Sequence, residues 1–194
     1  KWYKVPYKVT IITPEKIADW QSPAINDSLF LPTKNRYIVS KPSVLENETE
    51  ASNLLPALIK QQNGLNLWFK QDQTFKVPKG YIYIGLDSAV TIASTQNIAM
   101  TRLFVDIYSD AIVEEHYDAE LAGIHYHLYS HQGGLSLQLS GLSEKQDDLL
   151  VTLLESLKNV DVSESRFNLL KEQLITHWRN ADKNKSISQL FSVL

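Results

Sequence analysis

The strongest constraint on this fold is a stretch of alternation that turns back on itself. Ile124, Tyr126 and Leu128 alternate with His125, His127 and Tyr129; Gly133-Gly134 follows; Leu135, Leu137 and Leu139 alternate in return. A period of two puts successive side chains on opposite faces of a strand, and a glycine pair gives the backbone freedom to reverse. The pattern is an antiparallel hairpin with one apolar face, and such a face must be covered. Upstream, Ile82, Ile84 and Leu86 alternate with Tyr81, Tyr83 and Gly85 in a strand Tyr81–Asp87, and Leu65–Lys70 is a further strand. Asp72-Gln73-Thr74 and Pro78-Lys79-Gly80 supply turn residues between them.

Helical periodicity supplies the cover. A long helix is expected from about residue 95 to residue 122, with Leu103 and Ile107, and Phe104, Tyr108 and Ile112, at i, i+4 spacing, and Gly123 as its stop. Ser143-Glu144-Lys145-Gln146 has the form of a capping box, opening a helix with the buried stripe Leu149, Leu150, Leu153, Leu154 and Leu157. Ser163 caps a further helix bearing Phe167, Leu170, Leu174 and Trp178. The order ββ, α, ββ, αα specifies an α+β fold: a largely antiparallel sheet with helices packed on one face.

Residues 1–22 read as the edge of another unit, with a strand-like run Lys8–Ile12 and a helix start at Thr13-Pro14-Glu15, followed by Ile17 and Trp20 on one face. Residues 23–64 differ in texture: Pro23, Pro32, Pro42 and Pro56 recur among Asn and Ser, so an extended connection between domains is expected. Residues 65–194 are the α+β domain. The chain starts at Lys1, its one methionine is Met100, and the face Ile187, Leu190, Phe191, Leu194 runs to the last residue, so the expectation is a piece of a longer polypeptide.

Charge and composition narrow the function. With 19 Lys+Arg against 22 Asp+Glu the net charge is −3, which lacks the basic footprint of a nucleic-acid binder. Apolar runs are too short for a membrane-spanning helix, so no membrane partner is expected. With no cysteine there is no disulfide, thiolate zinc site or cysteine nucleophile. Serine-hydrolase elbows and glycine-rich nucleotide loops are also missing from the sequence.

The residues that invite a chemical reading are His125, His127 and His131, which a strand would project to one face; three imidazoles can hold zinc with a position left open. Because Ile124, Tyr126 and Leu128 take the core side, these histidines are expected on the solvated face, with no carboxylate identifiable nearby in sequence. His116 and Glu120 are spaced i, i+4, but an inverted H-x-x-E-H motif ending at Glu115-His116 needs histidine at position 112, which is Ile112. His116 is therefore read as ordinary helix surface. Trp68 and Phe69 are read as core of an aromatic strand, in preference to a peptide-binding edge. Asn26-Asp27-Ser28, Asn47-Glu48-Thr49 and Asn184-Lys185-Ser186 match the glycosylation sequon, which matters only in a eukaryotic secretory setting.

Four stretches in order carry a resemblance: Leu29-Phe30-Leu31-Pro32-Thr33-Lys34-Asn35, Leu67-Trp68-Phe69-Lys70-Gln71-Asp72 with Gln73-Thr74-Phe75-Lys76-Val77-Pro78-Lys79, Tyr117-Asp118-Ala119-Glu120-Leu121-Ala122-Gly123, and Ser165-Arg166-Phe167. The chain resembles the middle of the pitrilysin/insulysin (insulinase) family of zinc metallopeptidases, from Trp2-Tyr3 to near its end. The resemblance implies a large parent of four similar α+β domains, whose two halves close like a clamshell around a chamber. It implies zinc and the catalytic Glu in the parent's N-terminal half. The present residues then correspond to the tail of the second domain (1–22), the linker between halves (23–64) and most of a non-catalytic third domain (65–194). No catalytic, metal-binding or cofactor-binding residue carries over. Partners implied are the parent's peptide substrate and the other domains of the same chain; a bacterial source would favour the periplasm. The alternatives are a peptide-binding module using the open strand Tyr81–Asp87, a structural module without a protease parent, and a metal-binding protein using His125, His127 and His131.

Overall fold

The computed structural model describes residues 3–22, 28–44, 55–72 and 74–193, with the backbone alone at 182 and 191–193. Trp2, Pro23, Asn26-Asp27, Asn47-Glu48-Thr49, Gln73 and Leu194, all singled out above, lie outside the described residues. The chain divides into two compact units, Lys1–Lys34 and Asn35–Leu194.

In the first unit, α1 spans Pro14–Gln21, with Pro14 in the first turn, where its missing amide hydrogen costs nothing. Thr13 occupies the N-cap in an extended conformation, but its hydroxyl makes no capping bond. Lys8–Ile12 forms no strand: Val9 and Ile11 are largely exposed, and the segment has no ladder partner among the described residues.

The second unit carries the α+β fold. Strands β1 (Ala57–Gln62) and β2 (Leu65–Phe69) form a two-stranded antiparallel sheet closed by the turn at Gly64, whose φ is +77°. This corrects two expectations. The last part of the proline-rich connection is a strand, and β2 pairs with it. Trp68 and Phe69 are 59% and 50% exposed, so they are not core.

The main sheet has the order β3-β5-β4, with β3 at Lys79–Asp87, β4 at Ile124–His131 and β5 at Gly134–Leu142, all antiparallel. Its register is unbroken from Lys79↔Leu142 to Asp87↔Gly134 and from Ile124↔Gly141 to His131↔Gly134. One row across the sheet is Ile84, Leu137, Leu128; the next toward the β3 N-terminus is Ile82, Leu139, Tyr126. These face the helices. Ile124, Leu128, Leu137 and Leu139 are buried with Tyr108, Ile112, Leu149 and Leu153. Two close backbone approaches need glycine. A Cβ on Gly141, at φ +118°, would lie 2.0 Å from the Gly123 carbonyl oxygen, and one on Gly134 would lie 2.1 Å from that of Leu86.

Helices α2 (Ala89–Ile92), α3 (Thr95–Ile112) and α4 (Tyr117–Leu121) connect β3 to β4. The expected helix of residues 95–122 is thus broken at 113–116. The break turns His116 and Ala119 into the core at 0% exposure and leaves Val113, Glu114 and Glu115 in solvent. Gly123, at φ +80°, terminates α4 in the left-handed region that glycine adopts freely.

After β5, Ser143–Lys145 forms a 3₁₀ turn leading into α5 (Gln146–Ser156). The expected capping box does not form, since no side-chain cap bond is made there. Glu144 instead accepts from the backbone amide and hydroxyl of Ser43, at 2.7 and 2.9 Å. Gln146 turns inward, 2% exposed, and donates from Nε2 to the carbonyls of Gly80 (2.8 Å) and Gly141 (3.0 Å). Helix α6 (Glu164–Arg179) is capped by Ser163 as expected and buries Leu170 and Leu174; α7 is Ser186–Val193. Tyr108 joins α3 to α5 by donating to the Leu153 carbonyl at 2.8 Å.

Candidate functional site

The sheet face turned away from the helices is built from the other half of the alternation. Its rows read Tyr81, Ser140, His125; Tyr83, Gln138, His127; Gly85, Ser136, Tyr129; and Asp87, Gly134, His131. Tyr81 and Tyr83 stand 68% and 64% exposed, with their rings stacked at 6.3 Å between centroids. The surface is aromatic and imidazole-rich, with small hydroxyl and amide side chains along its middle strand.

The three histidines share this face and go to three different partners. His125 Nδ1 lies 2.5 Å from Glu120 Oε2, an ion pair when the ring is protonated. His127 stacks on Tyr129 at 5.5 Å. His131 accepts the Gly133 amide at Nδ1 (3.0 Å), so its neutral ring carries the proton on Nε2, 3.7 Å from Asp87 Oδ1. Carboxylates therefore do stand beside two of these histidines, which corrects the expectation that none is near. Glu120 arrives because Gly123 reverses the chain between α4 and β4. A helix end, a glycine and a strand start in succession are the sequence signal that could have shown it. The donors do not fit a resident metal ion: among the described residues, no three of His, Cys, Asp or Glu converge on one point.

His116 is the larger surprise. Expected on a helix surface, it is fully buried, with neither ring nitrogen hydrogen-bonded among the described residues. Its ring meets the Tyr126 ring edge-on at 5.9 Å and 87°. Burial pushes the imidazole below its ordinary pKa, with Arg36 adding to the effect and Glu115 opposing it. Burial likewise drives the Tyr126 phenol up to about 12.

Residues 35–43 form a strap over this region. Asn35 Nδ2 donates to the Asp118 carbonyl (2.6 Å), and its Oδ1 accepts the Tyr37 amide (2.8 Å). Tyr37 is 1% exposed and belongs to the core, with Arg36 laid over its ring at 4.7 Å. Nothing in the periodicity marks Tyr37, because it sits in irregular backbone.

Strand β3 offers a free edge. The bonds Ser88 N–H to Gly133 O (3.0 Å) and Ser143 N–H to Pro78 O (3.2 Å) fix the phase of the antiparallel ladder. Even-numbered residues of β3 bond to β5, so Tyr81, Tyr83 and Gly85 turn their amide and carbonyl groups outward. No strand pairs with them among the described residues. The usual guards of an edge are missing too: residues 80–86 hold no charge and no proline, and the register has no bulge. At the far end of the sheet, a cavity of about 570 Å³ is lined by Ile92, Ile98, Thr101, Arg102, His131 and Trp178. Arg102 is already paired with Asp106 at 3.3 Å, so this space is mainly apolar.

Fold and surface together define an α+β domain with one helix-covered sheet face and one open face, without a convergent set of metal ligands among its described residues. The family model for the middle or third domain of peptidase M16 matches residues 1–194. Human insulin-degrading enzyme is 34% identical over 180 residues, covering 93% of this chain and 18% of that protein. The A-factor-processing enzyme of Saccharomyces cerevisiae is 30% identical over the same length, covering 93% of this chain and 18% of that protein. A crystal structure of pitrilysin superposes with a TM-score of 0.78 at 24% identity, over 95% of this chain and 19% of that one, which shows the shared fold. This chain belongs to the insulinase/pitrilysin family of metallopeptidases, as its middle or third domain. It spans less than a fifth of the length of these relatives.

Proposed function

We propose that the chain is a non-catalytic part of a zinc metalloendopeptidase that degrades peptides inside a closed chamber. Residues 1–22 would be the tail of the preceding domain, 23–64 the linker between the two halves, and 65–194 the third domain. The observation that carries this reading is the family match along the whole chain, combined with histidines that diverge to Glu120, Tyr129 and Asp87. Zinc and the hydrolytic step then belong to another domain of the parent, and this one supplies chamber wall and the geometry between halves. The strap supports the architectural role. Asn35, Tyr37 and Ser43, from the linker, are fixed to α4, the core and the turn before α5.

A second role within the same parent is favoured by the β3 edge. Outward amide and carbonyl groups at Tyr81, Tyr83 and Gly85 suit an extended peptide adding as an antiparallel strand. Lys79 and Asp87 at the two ends complement such a peptide's carboxylate and ammonium.

One preparation tests both roles. The chain is dialysed against metal-free buffer, its zinc is measured by mass spectrometry, and it is assayed with quenched-fluorescent peptides. The expected result is zinc far below one equivalent and no cleavage. A full equivalent that disappears in the combined His125→Ala, His127→Ala, His131→Ala variant would refute the reading, as would cleavage surviving repurification. Adding unstructured peptides to the same sample should shift the backbone amide resonances of Tyr81, Tyr83 and Gly85; unmoved resonances rule out the edge role.

A further inference from the structure

His116 stands where a histidine is costly. It is fully buried, both its ring nitrogens lack a partner among the described residues, and the ring is held edge-on against Tyr126 of β4. Charged and titratable groups stand on the elements around it. Arg36 and Glu115 act on the imidazole directly, from the strap and from its own turn. Tyr126 lies in turn within the electrostatic reach of Glu120 in α4, Tyr108 in α3 and Tyr37 in the strap. The same turn anchors the strap, because Asn35 bonds to the Asp118 carbonyl two residues on and Tyr37 is packed in the core beside Ile112 and Ala119. A neutral ring can occupy this place. A protonated one needs acceptors for two N–H groups, and the described residues around it provide none.

We propose that His116 is an acid-sensitive latch: protonation drives the ring out of the core and releases the strap of residues 35–43 from α4. The released state binds the proton and the latched state does not, so latching is complete above the ordinary histidine pKa of about 6.5 and weakens as pH falls below it. One proton sets the limit at about a tenfold loss in the latching equilibrium per pH unit, until the buried ring itself titrates. Glu115 opposes this and Arg36 reinforces it. Since the strap belongs to the segment proposed to join the two halves of the parent, acid would loosen that joint.

The test is hydrogen exchange on the 194-residue chain between pH 7.5 and 5, corrected for intrinsic rates, with His116→Phe in parallel. In the native sequence, opening at the amide of Tyr37 should rise by up to about tenfold per unit below pH 6.5, while Leu137 and Leu139 stay protected. In His116→Phe the strap should lose this dependence. Equal pH slopes in the two proteins would overturn the latch, as would a flat native profile. A parallel rise at Leu137 and Leu139 would also overturn it, because the event would then be unfolding of the whole unit. Should His116→Phe not fold, the ring proton resonance of His116 and the Tyr37 amide decide together: titration at the ordinary exposed value refutes the proposal, and a neutral ring persisting below it while Tyr37 opens ahead of Leu137 and Leu139 upholds it.

Discussion

Gln146 is the residue on which the join between helix layer and sheet can be tested most cleanly. Its one amide group donates to carbonyls on two adjacent strands, Gly80 in β3 at 2.8 Å and Gly141 in β5 at 3.0 Å, from the first residue of α5. At 2% exposure, no water can replace those bonds without a local opening. Gln146→Leu shortens the side chain by one heavy atom and removes both donors. Each bond is worth about 0.5–1.5 kcal/mol net, so the pair comes to roughly 1–3 kcal/mol, less what the added apolar burial returns. In a domain of this size, 1 kcal/mol corresponds to about 2–4 °C, so a mid-range loss lowers Tm by roughly 4–8 °C. Urea denaturation should show the midpoint falling with the slope unchanged. Gln146→Glu sharpens the test, because an ionised carboxylate would face two carbonyl oxygens. Burial and those oxygens favour its neutral form, so its folded pKa rises above the unfolded value of about 4.3. The variant should be most stable below that value and lose stability as pH rises through the raised one. A Gln146→Leu change under about 0.5 kcal/mol, together with a Gln146→Glu profile as flat as the parent's, would refute the claim that this amide joins the layers.

Two further predictions rest on other contacts. Gly141→Ala combines a non-glycine residue at φ +118° with a Cβ 2.0 Å from the Gly123 carbonyl oxygen, and should cost about 2–6 kcal/mol in calorimetry; Gly133→Ala, whose Cβ meets side chains alone, the Asp87 carboxylate and the His131 ring, should cost far less. Asp110 accepts from Arg166 Nε at 2.6 Å, tying α3 to α6, and this bond holds its carboxyl below the ordinary value of 3.8. The resulting stability is present above about pH 4 and lost as pH falls through the depressed pKa, so the stability gap between native sequence and Asp110→Asn should be open at pH 7 and narrow as pH falls below 4.

What the sequence made legible followed period and punctuation. The hairpin β4–β5 comes from alternation and a glycine turn, and Leu149 and Leu153 from a leucine stripe. These signals are local, so each survives without knowledge of its neighbours. Two of the failures share a cause as well. The broken helix at 113–116 and the unformed capping box at Ser143 were each decided by a distant partner, whereas the strand at Ala57–Gln62 pairs with its neighbour across the local turn Asn63-Gly64. The core took His116, the carbonyls of Gly80 and Gly141 took Gln146, and β2 took the end of a proline-rich connection. Tertiary contacts overrode local preference in the first two.

The histidines show the same division at single-residue scale, and there it bears on function. Alternation alone put His125 and His127 on the open face, because strand period leaves no other choice once Ile124 and Leu128 are buried. It could not see Glu120 arriving beside His125, since that depends on how tightly Gly123 folds α4 back on β4. Helical spacing put His116 on the surface, and this was reversed because the helix does not continue. A four-residue break rotates the chain enough to exchange an exposed position for a buried one. The imidazole that spacing made ordinary is thus the one with unmet hydrogen-bonding capacity, and the cluster that spacing made tempting disperses onto separate partners. Titration of His116 in the core should therefore change the shape of this domain.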